Sequence, residues 1–359
     1  MTRTRGTALK VVVAFDSFKG CIPAKVACDA AAAGIHAACP EANVVKLPLS
    51  DGGEGLVECV RRLLPVVGIT LTVHDPLMNA VDCSYALSPD GKTAYMEMAS
   101  AAGLTLVPED KRNPMETTTY GVGEMIADAV DRGCERIVMG IGGSATCDAG
   151  EGMLKALRDK DCQNTPCKFV VACDVTNPLY GKDGAAYVFA PQKGATAEQV
   201  FILDRRLRTF ARRTEEAGIA SPDMARHPGA GAAGGLGYAL LTHLKAELRS
   251  GIDIMLDIAR FDEVIRDADL VITGEGKSDA QTMMGKVPCG VLRRCTKAAV
   301  PVWLLSGTID GGSALSSHFN RVHSINENDP RPLPQLIQPE VAKENIATTV
   351  KRLMESLTR

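Results

Sequence analysis

The sequence has few aromatic side chains, no long hydrophobic run and no excess of charge of either sign. Phe, Trp and Tyr make up 4% of the 359 residues, and only one residue is Trp. No stretch approaches the ~18 consecutive apolar residues of a membrane-spanning helix, and the first ten residues lack the apolar core of a signal peptide. These absences indicate a cytoplasmic protein that has no membrane partner.

The charge balance argues against nucleic acid as a partner. Lys and Arg number 40 against 43 Asp and Glu, which gives a net charge of −3. Proteins that bind nucleic acid or anionic membranes usually carry a basic excess concentrated on one surface. The near-neutral balance favours small molecules as the binding partners.

The twelve cysteines lack the spacing of a metal or redox motif. No two of them form a C-x-x-C pair, and the closest loop pair, Cys162 and Cys167, has no His beside it. We therefore expect reduced thiols in a reducing compartment rather than a disulfide or zinc framework.

Glycine is over-represented and clustered. The chain has 34 Gly, more than the usual ~7%, and they concentrate with Asp, Ser, Thr and Lys in a few segments that mostly follow predicted strands. In open α/β sheets, ligands bind at that end of the strands. The segments are residues 16–20, 51–55, 140–148, 174–178, 228–235 and 273–286.

The order of apolar runs predicts an α/β fold with two domains. Strands at 10–15, 43–48, 270–273, 302–305 and 321–325 alternate with helices at 23–38, 286–297 and 339–357, which favours a parallel sheet. Between them lie alternating strands with a hairpin turn at 88–91, strands at 136–140 and 168–173, and helices at 119–132, 148–158, 197–217 and 234–248. We predict a Rossmann-like parallel-sheet domain, residues 1–66 and 262–359, with an inserted second α/β domain, residues 67–261.

Two common nucleotide motifs fit poorly. The G-x-G-x-x-G match at residues 229–234 has no strand before it, whereas the match at 140–145, which ends in Ala145, has a strand before it and a helix after it. The second match is compatible either with a dinucleotide or with a phosphate or carboxylate on helix amides. The P-loop is excluded because Ala86 and Val271 stand where its first Gly should be, and no G-x-S-x-G nucleophile turn is present.

The clustered residues supply the chemistry of phosphoryl transfer. That reaction needs amide and Lys donors for the phosphate oxygens, carboxylates for Mg²⁺ and a base near the acceptor hydroxyl. Lysines adjoin glycines at Lys19, Lys193 and Lys286. Aspartates lie in the predicted loops at positions 16, 51, 148, 174 and 279.

Six ordered blocks resemble the type I bacterial glycerate kinases. They are Asp16-Ser17-Phe18-Lys19-Gly20, Asp51-Gly52-Gly53-Glu54-Gly55, Gly140-Ile141-Gly142-Gly143-Ser144-Ala145-Thr146, Cys173-Asp174-Val175-Thr176-Asn177-Pro178-Leu179, Pro191-Gln192-Lys193-Gly194-Ala195 and Gly274-Glu275-Gly276-Lys277-Ser278-Asp279. The resemblance implies phosphorylation of D-glycerate by ATP with Mg²⁺, usually at the 2-hydroxyl. It also implies a two-domain α/β fold with the active site in the cleft between the domains, and it leaves a homodimer open.

The expected site residues lie in and beside these blocks. We expect Lys19, Asp51, Asp174 and Asp279 to be catalytic, with Asp174 and Asp279 also the candidate Mg²⁺ ligands; for each Asp a helix N-cap is the alternative. Substrate or phosphate contacts are expected from Asp16, Ser17, Gly20, Gly52, Gly53, Gly142, Gly143, Ser144, Thr146, Thr176, Asn177, Gly274, Glu275, Gly276, Lys277, Gln281, Thr282 and Lys286.

Two other functions compete with this one. A non-catalytic sensor of small acids could use the same scaffold, although the acids of all the blocks are intact. An NAD-dependent oxidoreductase could use residues 140–145, but it needs an acid about 20 residues later. Asp159 and Asp161 are near that distance in a loop-like stretch.

Overall fold

The computed structural model describes residues 8–18, 20–50 and 55–357, without the side chains of residues 312 and 313. The strands are β1 (Lys10–Phe15), β2 (Asn43–Lys46), β3 (Val67–His74), β4 (Ala80–Leu87), β5 (Thr93–Glu97), β6 (Arg136–Gly140), β7 (Lys168–Ala172), β8 (Glu247–Arg249), β9 (Leu270–Ser278), β10 (Val302–Ile309) and β11 (Arg321–Ser324). The helices are α1 (Ala24–Ala38), α2 (Leu56–Leu63), α3 (Ala99–Ala102), α4 (Tyr120–Asp131), α5 (Glu151–Asp159), α6 (Ala185–Phe189), α7 (Ala197–Glu216), α8 (Leu236–His243), α9 (Gly251–Ile258), α10 (Phe261–Val264), α11 (Val287–Ala298), α12 (Gly312–Ser316), α13 (Leu333–Leu336) and α14 (Pro339–Glu355).

The chain divides into two compact units. The first unit combines Met1–Asp51 with Ile252–Arg359, and the second is the continuous segment Gly52–Gly251. The sequence placed the corresponding boundaries after residues 66 and 261.

The first unit is built on a fully parallel sheet of five strands in the order β11-β10-β9-β1-β2. The central strand β1 has Val11, Val12 and Val13 completely buried, as expected for a strand covered on both faces. Helices α1 and α14 pack together beside this sheet. Gly34 permits their close approach, since a Cβ atom there would lie 2.4 Å from the carbonyl oxygen of Ala347.

The strand order of the first unit reverses between β1 and β9. From β1 the chain moves outward to β2, whereas from β9 it moves in the other direction to β10 and β11. The loops that follow β1 and β9 therefore diverge and leave a crevice at the carboxyl ends of these strands, which is where open α/β sheets bind ligands.

The second unit contains a mixed sheet of six strands in the order β3-β4-β5-β6-β7-β8. Strands β3, β4 and β5 are antiparallel, and β5 to β8 are parallel. Helices α4 and α5 connect and cover the parallel part, and Met125, Ile126 and Met153 are fully buried in the core. The carboxyl ends of β5, β6 and β7 consequently share one edge of the sheet.

The predicted fold class, a Rossmann-like parallel-sheet domain with an inserted α/β domain, is confirmed by these two sheets. The helix predicted at 234–248 is wrong at its C-terminal end, because α8 stops at His243 and β8 begins at Glu247. Lys245 between them has a left-handed φ of 53°. Within the described ranges, every helix is too short or too polar to cross a bilayer.

Candidate functional site

A buried carboxylate lies at each of the two diverging strand ends of the first unit. Asp16 follows β1, and its amide donates to the carbonyl of Gly274 on β9 at 2.9 Å. The Asp16 side chain is 6% exposed and accepts a hydrogen bond from the amide of Ser17 at 2.6 Å. Glu275 lies on β9, and it too is 6% exposed. Two acids are therefore held at the reversal of strand order, where the sheet geometry favours a ligand.

Hydroxyl groups and an ammonium surround Glu275. Its Oε1 accepts hydrogen bonds from Thr282 at 2.6 Å and Ser278 at 3.0 Å, and Ser278 shares a further bond of 2.6 Å with Ser306. The ammonium of Lys286 lies 3.5 Å from Oε2. This network fixes the carboxylate in one orientation and leaves a half-buried cation beside it.

A second lysine of the same segment, Lys277, is exposed to solvent. Lys277 pairs with Asp310 at 2.7 Å and lies 4.0 Å from Asp279. The hydrogen bond to Asp310 raises the pKa of Lys277. An exposed ion pair of this kind contributes little to stability, so Lys277 can exchange Asp310 for another anion at small energetic cost.

These groups line a cavity of about 260 Å³ within the first unit. Its polar side is formed by Asp16, Ser17, Glu275, Gly276, Lys277 and Lys286. The lining also includes the apolar side chains of Ile325, Leu333, Leu336 and Ile337. Acids, lysines and an apolar wall in one cavity suit a ligand that carries both an anionic and an apolar part.

Three other predicted residues of this segment have clear structural roles. Asp279 is the N-cap of the short 3₁₀ turn Ala280–Met283. Its side chain accepts a bond from the Gln281 amide at 2.9 Å, and its own amide donates to the Thr282 hydroxyl at 3.0 Å. The N-cap alternative for Asp279 is thus observed, and its catalytic role stays a prediction. Gly274 is required by packing, since a Cβ atom there would lie 1.8 Å from the Leu305 carbonyl oxygen.

The glycine-rich segment after β6 forms the corresponding loop of the second unit. Four of its carbonyl groups accept hydrogen bonds from other parts of the second unit. The Met98 amide donates to Gly140 O at 2.9 Å and the Leu104 amide to Gly143 O at 2.8 Å. The Thr117 hydroxyl donates to Ala145 O at 3.0 Å, and the Lys193 ammonium to Thr146 O at 2.7 Å.

The amides of the same loop differ from one another: that of Ala145 donates to Ala102 O at 2.9 Å and that of Thr146 to the Ser144 hydroxyl at 3.0 Å. Among the described residues, the N–H groups of Gly142 and Gly143 have no acceptor, and Gly143 is exposed with a left-handed φ of 72°. Successive free amides in such a turn form a concave donor site for an anion. We refer to residues Gly140–Thr146 as the anion loop.

Ser144 and Thr146 shape the anion loop from inside. Both are buried, their hydroxyls lie 3.0 Å apart, and the Thr146 amide donates to the Ser144 hydroxyl at 3.0 Å. The Asp148 carboxylate accepts bonds from the amide and hydroxyl of Thr119, both at 2.8 Å, and so ties the end of the loop to the start of α4.

The block after β7 lies at the same edge of the second sheet. Asp174 and Thr176 are exposed, and Asp174 accepts a bond from the Gly251 amide at 3.1 Å. The side chain of Asn177 donates to the Asp183 carbonyl at 2.8 Å. Asp174 therefore belongs to the second unit and Asp279 to the first.

Four predicted site residues, Lys19, Asp51, Gly52 and Gly53, lie outside the described residues, and their roles remain predictions. Gly20, directly after Lys19, has a left-handed φ of 75° that favours glycine.

Sequence reasoning missed the partners of the predicted residues. Ser306 on β10 meets Ser278 on β9, and Glu97 at the end of β5 accepts the Gly55 amide at 2.7 Å. Glu97 had a usable signal, because this acid directly follows the short apolar run Ala94-Tyr95-Met96. Ser306 had none, because its contact depends on the register between β9 and β10.

The fold and the two strand-end clusters define a two-unit α/β protein that handles small anionic molecules. The glycerate kinase family profile matches residues 11–165 and 158–358. The chain therefore belongs to the glycerate kinase family.

Curated relatives cover nearly the whole chain. Glycerate kinase of Bacillus subtilis (strain 168) is 43% identical and aligns with 96% of this chain and 95% of its own. Glycerate 2-kinase of Escherichia coli (strain K12) is 41% identical over 84% of this chain and 86% of its own. A solved structure from Salmonella typhimurium LT2, named "putative glycerate kinase 2", is 37% identical with a TM-score of 0.84 and covers 98% of this chain and 99% of its own.

The family assignment confirms the resemblance drawn from the six blocks. It gives no support to the two alternatives, a non-catalytic sensor and an NAD-dependent oxidoreductase.

Proposed function

We propose that the protein transfers the γ-phosphoryl group of ATP to the 2-hydroxyl of D-glycerate. The observation that carries this proposal is the family match, which extends from residue 11 to residue 358 and so includes both strand-end clusters. The 2-hydroxyl is favoured by the resemblance and by the name of the Escherichia coli relative, a glycerate 2-kinase.

The cluster around Glu275 and the anion loop supply donors for anionic oxygens. The amides of Gly142 and Gly143 and the ammonium groups of Lys277 and Lys286 would bind carboxylate or phosphate oxygens. Lys19 and the amide of Gly20 would act in the same way. Because phosphoryl transfer passes through a loose transition state, positioning and charge neutralisation account for most of the catalysis.

The remaining predicted contacts keep their proposed roles. The first-unit set is Asp16, Ser17, Gly274, Glu275, Gly276, Gln281 and Thr282. The second-unit set is Gly52, Gly53, Ser144, Thr146, Thr176 and Asn177. Asp51 stays a proposed catalytic residue, and an active site in the interdomain cleft stays a prediction from the resemblance.

Magnesium would enter as part of the ATP complex. Mg²⁺ is usually held by one or two carboxylates together with substrate phosphates and water rather than by a full protein cage. No group of three or more candidate metal ligands converges in the part of the chain that the structure describes. Asp174 and Asp279 are the proposed ligands and present carboxylate oxygens of the right kind. When bound, the ion would neutralise the negative charge of the phosphates.

The cellular setting is proposed from composition. Twelve cysteines without a disulfide among them fit a reducing cytoplasm, where ATP is available. A homodimer also stays a proposal.

A coupled assay tests the proposed reaction. Purified protein is incubated with Mg-ATP and D-glycerate, ADP release is followed, and the phosphoglycerate isomer is identified by ³¹P NMR. We expect ADP release that depends on D-glycerate and yields 2-phosphoglycerate. L-glycerate and lactate are the matched acceptor controls. ADP release no higher with D-glycerate than without it would contradict the proposal, and 3-phosphoglycerate as product would correct the hydroxyl.

A further inference from the structure

Lys193 is a lysine almost without solvent contact. It ends the short 3₁₀ turn Pro191–Lys193 and is 3% exposed. Gly194 after it has a φ of 96°, and a Cβ atom there would lie 2.2 Å from the carbonyl oxygen of Arg112. The backbone thus turns sharply at Gly194 and directs the chain so that Lys193 stays inside the second unit.

The Lys193 ammonium has fewer partners than it can use. An ammonium has three donor hydrogens, and in the described part of the chain this one donates a single hydrogen bond, to Thr146 O at 2.7 Å. No carboxylate lies within ion-pair distance of it among the same residues. A buried charge without a counterion is costly, so packing alone gives no reason for a lysine at this position.

The bonded oxygen connects Lys193 to the anion loop. Thr146 O is one of four carbonyls of that loop with a bonded donor, and the other three accept from backbone amides or from a neutral hydroxyl. Thr146 O also accepts a longer bond from the Ser144 hydroxyl at 3.5 Å, so Lys193 is the one cation among the donors to these carbonyls. It is thus bonded to the same loop in which the amides of Gly142 and Gly143 have no acceptor among the described residues.

We propose that Lys193 is a positioning residue of the anion loop: it holds the Thr146 carbonyl inward and places a positive charge behind the amides, so that the loop binds an anionic oxygen group. The group is a carboxylate or a phosphate oxygen of one of the two substrates. The inference rests on the proposed function for the identity of those substrates, and on the geometry alone for the binding of an anion.

The surroundings of Lys193 make the role sensitive to pH. Burial lowers the pKa of Lys193 to about 8, while Cys147 and Asp148, the charged or titratable neighbours that face it, raise the pKa slightly. Burial also raises the pKa of Cys147 to about 11, so that this thiol stays protonated through the range concerned. The charge of Lys193 is present below pH 8 and is lost as the pH rises through that value.

The test compares Lys193→Met, Lys193→Arg and the control Lys160→Met, which removes an exposed lysine of the same unit. We expect KM for one anionic substrate to rise roughly ten- to a hundredfold in Lys193→Met, the range of a lost charge-assisted hydrogen bond. KM for the other substrate stays within about threefold, and this split identifies carboxylate or phosphate as the bound group. Thermal unfolding of each variant shows whether it is folded.

The pH profile separates this role from a purely structural one. Between pH 7.5 and 9.5 the KM of the wild type for that substrate should rise, whereas the KM of Lys193→Met should be high and constant. Lys193→Arg should remove the alkaline rise, since guanidinium stays charged. A profile of Lys193→Met parallel to that of the wild type, or equal rises in both KM values, would overturn the inference.

Calorimetric titration tests the inference without measuring turnover. It measures the binding of D-glycerate, a non-hydrolysable ATP analogue and inorganic phosphate to the wild type and to Lys193→Met. If the wild type binds one of these anions and folded Lys193→Met binds it at least tenfold more weakly, the inference holds even when no kinase activity is found. Equal binding by the two proteins rejects the inference while leaving the proposed function intact.

Discussion

At the scale of single residues, the Glu275 carboxylate of the first-unit cavity has partners at both of its oxygens. Two hydroxyls donate to one of its oxygens, and Lys286 lies beside the other. An amide in place of this carboxylate keeps the shape but removes the charge, and it presents donor hydrogens where hydroxyl donors already point.

We expect Glu275→Gln to lower kcat/KM by about tenfold or more, because Lys286 loses the carboxylate beside it. We also expect a lower Tm, because the Gln amide points donor hydrogens at hydroxyl groups that already donate. Steady-state kinetics with both substrates and a thermal melt measure the two effects. Glu41→Gln, which changes an exposed acid of the same unit, serves as the control. A folded Glu275→Gln with normal kcat/KM would remove Glu275 from the site.

We expect His243 to make the stability of the second unit depend on pH. Its Nε2 atom is buried without a hydrogen-bond partner among the described residues, and the ring stacks on Phe210. Burial, with smaller effects from Lys245 and Arg158, lowers the pKa of His243. The folded protein therefore holds this imidazole neutral at pH values where the unfolded chain binds a proton.

Because the unfolded chain takes up that proton below about pH 6.5, stability should fall as the pH drops from about 7 to 5. His243→Gln removes this contribution, so its Tm should fall less than that of the wild type over the interval. His36→Gln, at an exposed position on α1, should follow the wild-type curve. Parallel curves for His243→Gln and the wild type would show that His243 has no such effect.

At the scale of elements, the close contact between α1 and α14 depends on a glycine, Gly34. The sequence predicted both helices, α1 from its Ala-rich stretch and α14 from its amphipathic pattern, but it gave no sign that they touch. Gly34 is a point of close approach, where a Cβ atom would meet both Ala347 O and the Cβ atom of Val350, at 2.4 Å and 3.0 Å.

We expect Gly34→Ala to destabilise the protein by about 1–3 kcal/mol through overpacking, although Ala is the better helix former. Urea unfolding measures the change. Ala33→Gly at the neighbouring exposed position should cost about 1 kcal/mol from helix propensity alone. A stabilising Gly34→Ala would mean that the two helices separate without loss.

Elements whose residues carry a local pattern were predictable from the sequence. Strands β1 and β6 have the predicted bounds because short apolar runs are flanked by polar residues. Strand β9 extends five residues beyond its predicted end, to Ser278, and β10 extends four, to Ile309, since pairing between them continues through glycine-containing segments. The first two residues of β8 were predicted as helix, because this short segment becomes a strand only by pairing with β7.

The site residues also divide into those that a local sequence pattern predicts and those that depend on tertiary contacts. Glu275, Thr282 and Lys286 were predicted from one block and do meet in space. Lys193, in contrast, bonds to Thr146, which lies 47 positions earlier in the chain. No local sequence pattern encodes that contact or the burial of Lys193. Sequence blocks identified the residues, and tertiary packing decided which of them face each other.

At the scale of the whole molecule, the two units differ in continuity. The second unit is one uninterrupted segment with its own core, whereas the first needs both ends of the chain to complete its sheet. Strand β1 pairs with β9 and β2, so a fragment that lacks the first 51 residues loses two of five strands.

We expect a fragment of residues 52–251 to fold alone and to unfold cooperatively, and a fragment of residues 252–359 to remain unfolded. Near-ultraviolet circular dichroism and thermal melts of both fragments test this expectation. A fragment of residues 52–251 without a cooperative transition would show that the second unit depends on the first.

The pairing of β1 with β9 also sets an order of events during synthesis. The hydroxyl of Thr273 bonds to the carbonyl of Ala14 across 259 positions, so β1 and β2 leave the ribosome long before β9 exists. At about 5–20 residues per second this delay is on the order of ten to fifty seconds. During that time we expect the apolar residues 11–13 to lack their β9 partner and to favour chaperone binding, while the later but continuous second unit can already fold.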